Sequence, residues 1–128
     1  MTDRRTALQG LAVGDIFHGR SPNGASLICL VTAVDDGAIY SRRITTQDDI
    51  QFDRETGIEV GDVPSSIDCV APLPPDALEV LLAYDRKGQE LAASFRGGIR
   101  PPDERYRLTP EERRAFHLLH EHVAANPV

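Results

Sequence analysis

Short apolar runs separated by turn residues fill the first half of the chain. The longest uncharged apolar run, Ala25 to Val34, has ten residues and is rich in aliphatic side chains. Because its apolar positions are nearly continuous, the run predicts a central strand with both faces covered. A membrane-spanning helix needs roughly twenty apolar residues, so we expect no membrane segment here.

Strong turn signals lie on both sides of this run. The pair Asn23-Gly24 precedes it and Asp35-Asp36-Gly37 follows it, and both sequences favour tight hairpin turns. Turns of this length cannot support parallel crossovers, so the strands must pair mainly antiparallel. Further strands are predicted at residues 15–18, 38–45, 50–53, 58–60 and 67–70.

The pattern changes at the proline-rich residues 72–75, which are incompatible with a central strand. A helix is predicted to begin at Pro75, which suits the first helical position. Gly88 is a natural stop, but Leu91 and Phe95 keep the same period. The sequence therefore leaves open whether this helix ends at Gly88 or runs through it.

A second helix is predicted after Thr109. Thr109 is a suitable N-cap, Pro110 suits the first turn, and Glu112 completes a capping box. Apolar residues then recur on one face, as expected of a helix that packs on a core: Ala115, Phe116, Leu119 and Val123.

These elements predict an α+β fold, with a small antiparallel sheet or SH3-like partly closed barrel over about residues 11–70 followed by two or three α-helices. We expect a single domain over residues 1–128, with a flexible N-terminus at 1–10, a β-rich part at 11–71 and a helical part at 72–128. The layout of Leu11 to Val70 resembles SH3-like barrels. Bacterial barrels of this kind include adaptor modules and endoribonuclease toxins, whose chains open with a segment similar to Gly14-Asp15-Ile16.

Charge is unevenly distributed along the chain, whose net charge is −6. Residues 1–85 carry six basic and fourteen acidic side chains, whereas residues 86–114 carry eight basic and five acidic ones. An acidic sheet region repels phosphate backbones, so nucleic acid is an unfavourable partner. The asymmetry is most simply a solvated surface, and the alternative is attraction between the halves within the chain or across a dimer. The partners predicted are a protein partner or a second copy in a homo-oligomer.

The cysteines and the amino terminus indicate a reducing compartment. Cys29 and Cys69 lie among aliphatic residues, a setting that favours buried thiols over a disulfide. The first residues carry no apolar run with a cleavage site, so we expect a cytoplasmic protein. Thirteen of the fourteen basic residues are arginine, a bias typical of GC-rich bacterial genomes.

One candidate site lies on the last helix. His117, His120 and Glu121 are spaced so that all three can share a helix face and approach one metal ion. His117 is followed by Leu118 rather than by the glutamate of a catalytic zinc helix. The alternative is that these side chains are solvated.

A second candidate is a polar cluster after the third strand, formed by Arg42, Arg43, Asp49 and Asp53. Carboxylates beside arginines can carry acid–base or phosphate chemistry, although hairpin surfaces form such ion pairs routinely. Nucleophile motifs and phosphate loops are missing, so no catalytic residue or cofactor is predicted. The leading hypothesis is a non-enzymatic binding or assembly module. The two alternatives are an RNA-directed enzyme of toxin type and a metal-binding protein that uses the last helix.

Overall fold

The computed structural model describes residues 4–62, 64–93 and 107–127. Within these ranges it has three helices and five strands. In chain order they are α1 (Arg4–Gln9), β1 (Ile16–Arg20), β2 (Ser26–Val34), β3 (Ala38–Arg43), β4 (Asp49–Asp53), β5 (Ser66–Cys69), α2 (Pro75–Ala93) and α3 (Pro110–Ala125). None of these helices is long and apolar enough to cross a membrane.

The strands form one antiparallel sheet in the order β4-β3-β2-β1-β5. The long apolar run is β2, and its central position is the one that its composition predicts. Residues 58–60 form single bridges instead of the predicted strand: Glu59 pairs with Phe52 of β4, and Ile58 pairs with Ser66 of β5. These bridges link the two sheet edges, so the α+β fold with a partly closed barrel is confirmed.

Two apolar clusters cover the opposite faces of the sheet. In β1, Phe17 points into the barrel, where its ring meets Phe52 edge-on at 5.3 Å. The adjacent Ile16 faces the helices and packs in a second cluster with Leu81 of α2 and Leu119 of α3. This alternation follows from the two-residue period of a strand. Both faces of the sheet are therefore buried, which explains the continuous apolar character of β2.

Helix α1 lies within the segment 1–10 that was expected to be flexible, and Arg4–Gln9 are helical and attached to the barrel. Leu8 is fully buried in the barrel core. Arg4 Nη1 donates to the carbonyl of Ile67 at 2.6 Å, and its Nε donates to the carbonyl of Thr56 at 3.1 Å. The helix is short and has few local signals, so these tertiary contacts are what stabilise it.

Helix α2 runs through Gly88 and continues to Ala93, which settles the alternative left open by the sequence in favour of the longer helix. A Cβ at position 88 would lie 2.9 Å from Nε2 of Gln47, so the glycine permits a close approach and does not end the helix. Phe95 lies outside the described residues. Leu91 is buried, as its position in the apolar period predicts.

Helix α3 begins with the predicted capping box. Thr109 Oγ1 accepts from the amide of Glu112 at 3.1 Å, and Glu112 Oε1 accepts from the amide of Thr109 at 2.9 Å. The other carboxylate oxygen of Glu112 accepts from Lys87 Nζ of α2 at 2.6 Å. Tyr84 and Phe116 add an edge-on ring contact at 5.2 Å. One residue thus starts α3 and also fixes it to α2.

Candidate functional site

The predicted polar cluster around β3 and β4 does not converge on one site. Arg42 Nε and Nη2 donate to the two carboxylate oxygens of Asp85 on α2, at 3.1 and 2.7 Å. Asp85 is 2% exposed, and Gln47 Nε2 donates to it at 3.0 Å. This buried bidentate pair joins the barrel to α2 and raises the pKa of Arg42 further, chiefly through the hydrogen bond to Asp85.

The other members of that cluster make no hydrogen bond to this pair, although Asp49 lies opposite Arg42 in the β3–β4 ladder. Asp53 accepts from the amides of Thr56 and Glu55, and these hydrogen bonds lower its pKa. Arg43 Nη2 donates to the carbonyl of Ser26 at 3.0 Å. Asp49 is exposed at the start of β4. Each described contact therefore stabilises a turn or a strand pair.

The three predicted metal ligands of α3 make different contacts. His117 Nε2 and Glu121 Oε1 form an exposed pair at 2.9 Å. His120 faces the sheet, and its ring centroid lies 6.1 Å from that of His18, with the ring planes at 82°. Among the described residues, no three histidine, cysteine, aspartate or glutamate side chains are placed to hold a metal ion.

His18 is the most unusual side chain of the barrel wall. It is 1% exposed, and its Nδ1 lies 2.5 Å from Oδ1 of Asp68. Oδ2 of the same carboxylate pairs with Nε of Arg20 at 3.1 Å. His18 Nε2 is buried and has no hydrogen-bond partner in the described part of the chain. We call these three residues together with His120 the histidine cluster.

A β-bulge creates the contact between β1 and β5. His18 pairs with Cys69 and Gly19 pairs with Ile67, so Asp68 is an extra residue in β5. Bulges re-aim side chains in this way, and here the carboxylate is brought to the imidazole. A Cβ at Gly19 would lie 3.0 Å from the carbonyl oxygen of Ser66, so the glycine allows the close approach of β5.

The histidine cluster disfavours the charged form of His120. The side chain is exposed, but partial desolvation lowers its pKa below the usual 6.5, and electrostatic interactions with His18, Arg20 and His117 lower it further. The cluster therefore brings two imidazoles together at the boundary between the barrel and α3, and one of them is hydrogen-bonded to Asp68.

Sequence reasoning missed His18 and Asp68. Each interrupts an apolar run, His18 after Ile16 and Phe17, and Asp68 between Ile67 and Cys69. A polar residue inside a buried strand is a usable signal, because it needs a partner. Pairing the two across fifty positions requires the bulged register, which no local pattern predicts.

A groove between α2 and α3 is the second candidate site. It encloses about 650 Å³, and Ala77, Val80, Ala115 and Leu118 supply its apolar surface. The charged side chains around it are Asp76, Glu79, Glu111, Glu112 and Arg114. Since Glu112 is already paired with Lys87, three other acidic groups and one basic group remain among the described lining residues. We call this surface the interhelical groove.

Comparison of the chain with models of known protein families, with characterised proteins and with solved structures gives no match.

Proposed function

We propose that the protein is a binding module that holds a basic, amphipathic helical segment of a partner protein in the interhelical groove. The observation that carries this proposal is the combination of an apolar floor with an acidic rim. Val80 and Leu118 are half-buried there, so a partner side chain can remove further apolar area from water. An amphipathic helix docks in such grooves through apolar residues on one face.

Charge decides which partner fits. Asp76, Glu79 and Glu111 outnumber Arg114 around the groove, and the whole chain carries a net charge of −6. A basic partner is attracted by both the local and the overall field, which accelerates encounter and orients binding. Lysines or arginines flanking an apolar stripe supply that complementarity.

A second copy of this chain is a less favourable occupant. In a two-fold symmetric dimer the same surface lies on both sides of the contact. Two interhelical grooves face to face would bring Glu79 and Glu111 of one protomer towards the same carboxylates of its partner. We therefore propose a different protein as the partner, and self-association becomes an outcome that light scattering measures.

The two alternative functions draw less support. A toxin-type RNA-directed enzyme was expected to use Arg42 or Arg43 with Asp49, but Arg42 is committed to Asp85 and Arg43 to the backbone of Ser26. A metal-binding role draws less support, because His120 contacts His18 of the sheet, whereas His117 and Glu121 pair with each other on the exposed surface. We place the proposed binding in the bacterial cytoplasm, where Cys29 and Cys69 would stay reduced.

The test is titration of the ¹⁵N-labelled protein with a synthetic helical peptide of about fifteen residues that carries leucines on one face and lysines on the other. We expect amide shifts concentrated at residues that line the interhelical groove, and weaker binding as salt is added. A control peptide keeps the leucines and replaces each lysine with glutamate. Equal binding of both peptides, or shifts elsewhere on the surface, would overturn the proposal.

Two charge reversals on α2 sharpen the assignment. Glu79 lines the groove, whereas Glu90 is exposed on the same helix and does not line it. E79K should weaken peptide binding about threefold to tenfold, the effect of one rim charge. E90K makes the same change in net charge and should leave the affinity nearly unchanged. Equal effects of the two variants would point to the overall charge and not to this groove.

A further inference from the structure

We propose that His18 and His120 form an acid-sensitive latch that holds α3 against the barrel. The latch consists of a ring contact between two elements that are distant in sequence, β1 and α3. Its release on acidification would regulate the interhelical groove, since α3 forms one wall of it. That consequence depends on the proposed function, but the latch itself does not.

His18 lies in an enclosed environment. The ring is 1% exposed, so it is held away from bulk water between the sheet and α3. Its Nδ1 is fixed by Asp68 at 2.5 Å, which directs the opposite nitrogen away from β5. That nitrogen, Nε2, has no hydrogen-bond partner among the described residues. A buried polar atom without a hydrogen-bond partner lowers the stability of the arrangement that buries it, which here is the docked state of α3.

Basic groups from two elements surround His120. From β1 it is faced by His18 and Arg20, and from its own helix by His117. The nearby carboxylate of β5, Asp68, has both oxygens engaged, one by His18 and one by Arg20. A proton added to His120 is therefore opposed by these basic neighbours, and the one carboxylate of the cluster is already shared between His18 and Arg20.

The pH dependence of His120 gives the direction in which the docking of α3 changes. Because the pKa of His120 in the folded protein lies below its usual 6.5, the detached helix binds a proton more readily than the docked helix. The docked state is therefore fully stable above this ordinary pKa and loses stability as the pH falls below it. Acid favours the open state of α3.

The two cysteines provide a readout of this opening. Cys69 is buried in the helix-side cluster with Leu119 and Val123 of α3, whereas Cys29 is buried in the core inside the barrel. Burial raises the pKa of both thiols, that of Cys29 to about 12, so neither reacts while it is covered. Release of α3 uncovers Cys69 alone, and global unfolding uncovers both.

The experiment labels the full-length protein with a dipyridyl disulfide reagent and measures the modification of each cysteine by peptide mass spectrometry. The ratio of the two rates cancels the ordinary pH dependence of thiol reactivity. From about pH 7.5 to about pH 5.5 we expect the Cys69 rate to rise relative to the Cys29 rate by up to about tenfold, the limit for one group whose ordinary pKa is 6.5. Parallel rises at both cysteines, or no rise at Cys69, would overturn the latch.

Substitutions at two histidines of α3 identify the group responsible. H120Q and H120L remove the titrating ring and should make the ratio independent of pH, and two replacements guard against loss of folding by one of them. H117Q is the matched control, because His117 is exposed one turn away on the same helix and is paired with Glu121. It should keep at least half of the pH response. A response that survives both His120 substitutions contradicts the proposal, whether or not the groove binds any peptide.

Discussion

At the scale of single residues, the chain uses glycine where two backbones or a backbone and a side chain must approach closely. Gly19 admits the backbone of β5, and Gly88 admits Gln47 against α2. Gly57 combines both demands, since its φ is +71° and the side chains of Arg4 and Leu8 lie directly over it. These positions could be recognised in the sequence as glycines, but the neighbours that require them come from distant parts of the chain.

Comparing Gly57 with Gly24 separates backbone strain from steric exclusion. Both have positive φ, but a Cβ at Gly24 meets nothing within 4 Å, whereas at Gly57 it would lie 2.5 Å from Nη2 of Arg4. G24A should destabilise the protein by about 1–2 kcal/mol, the penalty for an L-residue in this region. G57A should exceed that loss by about 1–2 kcal/mol, because Arg4 must also leave its hydrogen bonds to Thr56 and Ile67.

Urea unfolding followed by circular dichroism measures both glycine variants. The expected sign is a larger loss for G57A than for G24A, with equal slopes of free energy against urea. Equal losses would show that α1 moves aside freely, and the attachment of α1 to the barrel would then be weaker than the contacts of Arg4 indicate.

At the scale of elements, local signals and distant contacts contribute differently. The turns at Asn23-Gly24 and Asp35-Asp36-Gly37 and the capping box of α3 are local, and the structure has all of them where the sequence predicts them. Helix α1 has no such signal and forms because Leu8 and Arg4 reach the barrel. The strand predicted at 58–60 is reduced to single bridges for the same reason, because partners on two edges decide its pairing.

Glu112 provides an element-scale test, because it caps α3 and pairs with Lys87 of α2. Burial alone would raise its pKa, but the hydrogen bonds from Lys87 and Thr109 outweigh that effect and lower it below 4.5. A depressed carboxyl pKa contributes stability that is present above the unfolded value and lost as the pH falls through the folded one. E112Q should therefore lower the unfolding free energy by about 1–2 kcal/mol at neutral pH.

The difference between E112Q and the parent protein should shrink as the pH falls from neutral to acid, through the lowered pKa at which the glutamate itself becomes protonated. E111Q is the control, because Glu111 lies beside Glu112 in the first turn but is exposed. Its effect should stay within about 0.5 kcal/mol at either pH. An E112Q deficit that persists at acid pH would mean that packing, and not the charge, is what Glu112 supplies.

At the scale of the whole molecule, function was the hardest property to predict. The candidates drawn from sequence, Arg42 with Asp49 and His117 with Glu121, were chosen because they are close along the chain. Folding commits Arg42 to α2 and leaves the His117–Glu121 pair exposed on the surface. The histidine cluster instead joins β1, β5 and α3, and the interhelical groove joins two helices across a long connection. Such sites exist only when the elements meet.

These contacts between distant elements depend on closure of the barrel. A few backbone hydrogen bonds close it. The amide of Glu59 donates to the carbonyl of Ser65 at 2.8 Å, and the amide of Val60 donates to that of Gln51 at 2.9 Å. E59P removes the first donor and should cost about 3 kcal/mol. E59A keeps the amide and loses only the contact of the side chain with the amide of Ser65, so it should cost about 1 kcal/mol.

Loss of the hydrogen bonds that close the barrel should also change the oligomeric state of the molecule, because the edges of β4 and β5 would lose their partners. Unpaired strand edges template association, so E59P should form oligomers that grow with concentration, whereas E59A should keep the mass of the parent protein. Light scattering after size-exclusion chromatography measures all three masses, and the parent run also reports whether the 14.0 kDa chain self-associates. If E59P loses stability but keeps the parent mass, the neighbouring loops already cover these edges and the bridges contribute stability alone.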